Sequence, residues 1–208
     1  MIYIASWIAS LIAIKLNFKC SVFGRENAPS EGPFIFVSNH ASYIDPLVLG
    51  TSLPCAKWFS FVAKKDLFDK PLVGWYLRQI HALPLDREGD VAAVRIVIKL
   101  LRSGKSIILF PEGTRSKEIG LRSAKPGVGF IVAKAAVPVL PAYIEGSYEA
   151  MPAGKGSVKK GSRINVFIGK PLRFDNLDFN SKDSYQRISD DIMKSIAHLK
   201  DAHANKAS

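Results

Sequence analysis

The first pattern in the chain is a run without charge: Met1 to Ile14 carries no ionised side chain, and Lys15, Lys19 and Arg25 follow. Wound as a helix, the run places Ile4, Trp7, Ile8 and Leu11 on one stripe and Ala5, Ala9, Ala13, Ser6 and Ser10 on a small-residue side. It falls short of the roughly 18 apolar residues that a membrane-crossing helix needs. The favoured reading is a segment over 1–17 that lies on a membrane, with the large face in lipid, Trp7 at the interface and the cations against anionic headgroups. A cleaved signal peptide and a buried core helix are the alternatives.

Beyond this segment, short apolar runs alternate with helical periods. Phe18–Phe23, Phe34–Val37, Trp58–Ala63, Ala82–Leu85, Ser106–Phe110, Val137–Tyr143 and Arg163–Ile168 read as strands. The unbroken apolar character of Phe34–Val37 and Ser106–Phe110 suits strands buried on both faces, as in parallel sheets. Helices are predicted over Asp45–Leu53, Pro71–Gln79 with Pro71 in its tolerated first turn, a stretch capped by Asp90 and ending at Arg102, and Gly127–Ala136. A last helix runs through Tyr185, Ile188, Ile192, Ile196 and Leu199. Strand–helix alternation predicts an α/β fold: one domain over 18–201 with a largely parallel central sheet flanked by helices, then a frayed tail over 202–208.

Composition narrows the partners. Apolar residues make up 48% of the 208, so a packed core is expected. A formal charge of +11 points to an anionic partner such as nucleic acid, phospholipid headgroups or a phosphorylated substrate. No groove-reading motif supports nucleic acid. Cys20 and Cys55 are too few and too far apart for a disulfide scaffold, and no metal-ligand spacing appears. The G-x-S-x-G elbow of serine hydrolases is absent; Gly104-Lys105-Ser106 imitates a phosphate loop but lacks its first glycine and follows a helix.

Two constellations remain. Ser38-Asn39-His40-Ala41-Ser42-Tyr43-Ile44-Asp45 crowds polar side chains directly after a buried strand. His40 and Asp45 sit roughly 140° apart on a regular helix, so they pair only if His40 lies in a turn and Asp45 in the first helical turn beyond it. Asp45 would then fix the imidazole tautomer and leave the other nitrogen free as a base; ordinary turn or cap hydrogen bonds are the alternative. The second constellation is Phe110-Pro111-Glu112-Gly113-Thr114-Arg115-Ser116. Arg115 offers a planar donor fork suited to phosphate, Thr114 and the loop amides at Gly113 add hydrogen bonds, and Glu112 is suited to accept from hydroxyls or to form an intraloop ion pair. Lys64, Lys65, Arg87 and Lys125 are further cations within reach of the same rim. His81 reads as a structural histidine, and His198 and His203 as solvated surface.

Together these blocks resemble the glycerophospholipid acyltransferase family, the 1-acylglycerol-3-phosphate acyltransferases and their relatives. Asn39-His40 with Ser42 and Asp45 resembles its first block, Leu83 to Arg87 its second, Phe110 to Ser116 its third, and Val137-Pro138-Val139-Leu140-Pro141 its fourth. The resemblance implies that His40 deprotonates the free hydroxyl of lysophosphatidic acid, which attacks the thioester of acyl-CoA or acyl-carrier protein to give phosphatidic acid. It implies Asp45 orienting His40, Glu112 and Arg115 holding glycerol and phosphate with Gly113 and Thr114 in their loop, and Arg87 as a further phosphate ligand. It implies work at the cytoplasmic face of the cell membrane with no cofactor or metal. Glycerol 3-phosphate, another lysolipid or an amino-acid lipid as acceptor, and a non-catalytic lipid-binding module, are the alternatives. On this reading, deleting Met1 to Ile14 releases the protein from membranes.

Overall fold

The computed structural model describes residues 2–55, 57, 59–80, 82–85, 91–115, 120–152, 157–175 and 181–204. The elements run α1 (Ile2–Asn17), β1 (Lys19–Phe23), β2 (Ile35–Ser38), α2 (Asp45–Ser52), β3 (Phe59–Lys64), α3 (Pro71–Gln79), β4 (Leu83–Leu85), α4 (Val91–Arg102), β5 (Ser106–Leu109), α5 (Pro126–Ala135), β6 (Val139–Glu145), α6 (Ser147–Ala150), β7 (Arg163–Ile168) and α7 (Lys182–Ala204). The seven strands form one sheet in the order β1-β7-β6-β2-β5-β3-β4. Neighbours are parallel except β6 and β7.

Alternation along β2 shows how the sheet is sandwiched. Phe34 and Phe36 point into one core with Phe59, Val48, Leu49 and Ile14, beneath α1 and α2. Ile35 and Val37 point into the other, with Val97, Leu101, Val132, Ile188 and Ile192 from α4, α5 and α7. All four residues of β2 and of β5 are buried, which explains their unbroken apolar character. Helices on both faces leave the strand ends as the place for polar loops. Because Val37 pairs with both Leu109 and Pro141, the loops leaving β2 and β5 emerge side by side.

The first helix departs from the expected orientation. Its Ile4, Ile8 and Ile12 are exposed together with Ala5, Ala9 and Ala13. Trp7 turns inward, its indole N–H donating to Gly50 O at 3.1 Å. Tyr3 and Ile14 are buried, and Tyr3 Oη accepts from the Phe59 N–H at 3.0 Å. Burial pushes the Tyr3 hydroxyl up from its ordinary value of 10.0. So α1 packs on the domain, and its small residues divide: Ala5, Ala9 and Ala13 are exposed, while Ser6 and Ser10 are half-buried beside Trp7. The apolar stripe splits because aromatic rings reach across to α2 and β3 while the isoleucines do not.

Two smaller corrections concern the carboxyl end. The helix continues through Ala202 to Ala204, inside the tail expected to fray, and residues 205–208 lie outside the described residues. His203 is not a free surface side chain: it stacks on Phe167 with centroids 3.7 Å apart. Ser147–Ala150, where the sequence pattern predicts no element, forms the short helix α6. His81, Arg87, the Asp90 cap and Ser116 lie outside the described residues.

Candidate active site

The β2–α2 turn is built around one carboxylate. Asp45 is fully buried at the first residue of α2. Its Oδ2 accepts from the backbone N–H groups of Ala41 and Ser42, each at 2.7 Å, and lies 2.9 Å from His40 Nδ1. Three contacts on one oxygen fix the turn and the imidazole together. A carboxylate at Nδ1 selects the tautomer with Nδ1 protonated and leaves the Nε2 lone pair as the basic site. The helix N-terminus also favours the negative charge. The His40 side chain keeps 16% exposure, and Phe110 stacks on its ring with centroids 4.0 Å apart.

Asn39 anchors this turn to the sheet. The β2–β6 ladder ends at Ser38 opposite Ala142. Beyond that point the Asn39 side chain replaces the strand: Nδ2 donates to Ile144 O at 2.9 Å and Oδ1 accepts from Ile144 N–H at 2.8 Å. The backbone is thus free to turn toward the neighbouring loop while the next ladder groups stay paired. Asn39→Ala strands two buried backbone groups, so a loss of about 2–4 kcal/mol is expected in denaturant unfolding. The hydroxyl of Ser42 completes the anchoring by donating to Met151 O at 2.6 Å.

The β5 loop answers with its own carboxylate. Glu112 is 2% exposed, and its Oε1 accepts from the His40 backbone N–H at 3.1 Å. This oxygen therefore braces the base-bearing turn. Gly113 takes a φ of 72°, and a Cβ added there would sit 3.0 Å from Lys125 Cδ. The Lys125 side chain thus runs along the loop, and its backbone N–H donates to Pro111 O at 3.0 Å. Thr114 Oγ1 accepts from Arg122 at 3.0 Å, which adds a cation that the sequence reading passed over. Arg115 lies over the Tyr43 ring, its Cζ 3.5 Å from the centroid. Its Nη1 is buried with no hydrogen-bond partner among the described residues. Such an N–H calls for an anion or polar acceptor, and a phosphate oxygen suits its geometry.

His40, Asp45, Glu112, Gly113, Thr114 and Arg115 therefore belong to two adjoining loops. They are tied by the His40–Glu112 hydrogen bond, the His40–Phe110 stack and the Tyr43–Arg115 contact. Lys64 and Lys65 follow at the end of β3, beside β5 in the sheet. Among the described residues no group of three or more His, Cys, Asp or Glu gathers to hold a metal ion. Phe110, Tyr43 and Asn39 were missed as site residues. The signal available was their position inside the two motifs, between residues already singled out.

The family model described as Acyltransferase matches residues 19–145, the span that contains both loops. The chain belongs to the acyltransferase family. It is 33% identical over 183 residues to a chloroplastic 1-acyl-sn-glycerol-3-phosphate acyltransferase of Arabidopsis thaliana, covering 86% of this chain and 51% of that one. It is 31% identical over 180 residues to the 1-acyl-sn-glycerol-3-phosphate acyltransferase of Bacillus subtilis, covering 86% and 85%. The chain thus spans about half the length of its plant relative and most of the bacterial one. The crystal structure of the 1-acyl-sn-glycerophosphate acyltransferase PlsC from Thermotoga maritima superposes with a TM-score of 0.82 at 28% identity, covering 97% of this chain and 80% of that one. The likeness therefore extends through α1 and α7 and is not confined to the motifs.

Proposed function

We propose that this acyltransferase moves a fatty acyl group from the thioester of acyl-CoA or acyl-carrier protein to the free hydroxyl of 1-acylglycerol 3-phosphate, giving phosphatidic acid. The observation that carries the reading is a histidine–carboxylate pair beside a guanidinium with an unfilled, buried N–H. In this account His40 Nε2 accepts the hydroxyl proton as the oxygen attacks the thioester carbonyl. When the tetrahedral intermediate collapses, the C–S bond breaks and the imidazolium returns the proton to the leaving thiolate. Arg115 holds the acceptor phosphate, with Arg87 as a further ligand. Glu112 keeps the His40 turn against the phosphate loop, and fixing both ends of the acceptor supplies proximity. Purified protein given mixed lysolipids with labelled acyl-CoA or acyl-carrier protein is expected to form phosphatidic acid, identified by mass. Acylation confined to phosphate-free lipids contradicts the reading.

We also propose that the protein works from the membrane surface, at the cytoplasmic face. No helix among the described residues is long and apolar enough to cross a membrane. Ile4, Ile8, Ile12 and Leu16 line the exposed side of α1, and Leu72, Val73, Trp75 and Tyr76 are exposed on α3. Both helices border one groove, lined by Tyr3, Trp7 and Ser10 from α1 and by Tyr76 from α3. Exposed apolar side chains on both helices suit a lipid interface, with Lys15 and Lys19 near anionic headgroups. Because Tyr3 and Ile14 are core residues, deleting Met1 to Ile14 would damage the fold as well as any anchor. The combined Ile4→Ser, Ile8→Ser and Ile12→Ser substitutions make the better test. They are expected to cut flotation with anionic phospholipid vesicles by about tenfold or more, because each removes side-chain burial of about 1.5–3 kcal/mol. Undiminished flotation would place the contact elsewhere.

A further inference from the structure

Tyr43 has no part in the proton transfer, yet its position is distinctive. The Arg115 Cζ lies 3.5 Å from its ring centroid, whereas Arg78 stands 5.9 Å from Phe68 and Lys134 5.9 Å from Phe130. At 3.5 Å from the centroid the guanidinium carbon packs on the ring face, which leaves the in-plane N–H groups of its fork to hydrogen-bond other partners. One member of that fork, Nη1, is buried without a hydrogen-bond partner among the described residues.

The ring is not there to fill the core, since Tyr43 is 51% exposed. Its backbone is held firmly on both sides. Ser42 is pinned by its bonds to Asp45 and Met151, and Ile44 is buried. The turn that carries the base therefore also carries the platform on which the phosphate-binding cation rests. Tyr43 stands three residues after His40 and two before Asp45, so a rigid and short segment links base to platform.

We propose that Tyr43 is a positioning residue: by stacking on Arg115 it aims the guanidinium fork at the phosphate of the acceptor. The inference rests on the acceptor reading above and deepens it. Tyr43 makes the enzyme selective for a phosphate-bearing acceptor over its phosphate-free counterpart, and its ring, not its hydroxyl, is the active part.

The test uses the full chain with Tyr43→Ala, Tyr43→Leu, Tyr43→Phe and Tyr43→Trp. Binding of a short-chain lysophosphatidic acid is measured by calorimetry, and kcat and KM are measured with lysophosphatidic acid and with monoacylglycerol. Tyr43→Ala and Tyr43→Leu are expected to raise Kd and KM for the phosphorylated acceptor about tenfold, as the guanidinium loses the face that holds its fork in aim, with kcat within about twofold. Tyr43→Phe and Tyr43→Trp are expected to restore both, and monoacylglycerol kinetics are expected not to move. Leu retains apolar bulk without a π face, so it decides the matter if Ala fails to fold. Unchanged Kd in the Leu variant, or a Phe variant as weak as Leu, overturns the inference. A wild-type protein that binds the phosphorylated lipid but transfers nothing would overturn the acceptor reading, while the Kd series still decides Tyr43. Wild-type protein that does not bind it would overturn both.

Discussion

His40→Ala is expected to lower turnover by about 10²–10⁴-fold while the protein stays folded and still binds lipid. Loss of the imidazole removes the group whose Nδ1 meets the Asp45 carboxylate and whose Nε2 is left as the basic site. The surrounding turn has reason to survive. Asp45 Oδ2 keeps the Ala41 and Ser42 N–H groups, and the Glu112–His40 hydrogen bond uses the backbone, which alanine retains. Steady-state rates, a melting curve and vesicle binding check the three parts together. A variant with wild-type turnover would remove His40 from the chemistry, and a variant that fails to fold would make the His40–Asp45 pair structural.

Arg115→Ala is expected to act on a different constant. A charge-assisted contact to phosphate is worth about 1.5–3 kcal/mol, so KM for the phosphorylated acceptor should rise about 10- to 100-fold with a smaller change in kcat. Arg115→Lys should recover only part of the loss, because a lysine lacks the planar fork and stacks poorly on Tyr43. The same substitution assayed with an acceptor lacking phosphate supplies the control. An equal loss there would mean that Arg115 holds the loop together and does not read the phosphate.

Much of the architecture could be read in advance because burial on both faces leaves a mark. In β2 and β5 every residue is buried, and apart from Ser38 and Ser106 at their ends the chain there is apolar without alternation. Helix α4 was also legible, from Val91, Val94, Ile98 and Leu101 at helical spacing, although Val91 is exposed and Val97 takes the buried place beside Leu101. The facing of α1 was not, because an apolar stripe does not say whether protein or lipid will cover it. What decides is reach: Trp7 extends to the Gly50 carbonyl and Tyr3 to the Phe59 amide. The four-residue α6 follows Gly146 at a φ of 80° and is too short to show a period.

The site was readable to the extent that it is local. His40 and Asp45 are five residues apart, and simple helix geometry stated the one arrangement in which they meet. Contacts between loops were not visible. Glu112 accepts from a backbone amide seventy-two residues away, and no side-chain pattern announces a main-chain donor. Asn39 binds Ile144 across 105 residues, in a position that exists because β2 pairing stops opposite Ala142 while β6 runs on to Glu145. The Tyr43–Arg115 stack has the same origin: it depends on β2 and β5 being neighbours, which the order of strands along the chain does not state.

The central claim is that a base and a phosphate socket act on one acceptor. It is tested most directly by competition. Equal concentrations of lysophosphatidic acid and monoacylglycerol with the same acyl chain are offered to the purified protein with a labelled acyl-CoA or acyl-carrier protein, and the two products are quantified by mass. The account predicts that phosphatidic acid exceeds diacylglycerol by about 10- to 100-fold, the share assigned to the Arg115 contact. It also predicts that Arg115→Ala collapses the ratio toward one. Equal amounts of both products from the wild-type protein would contradict it.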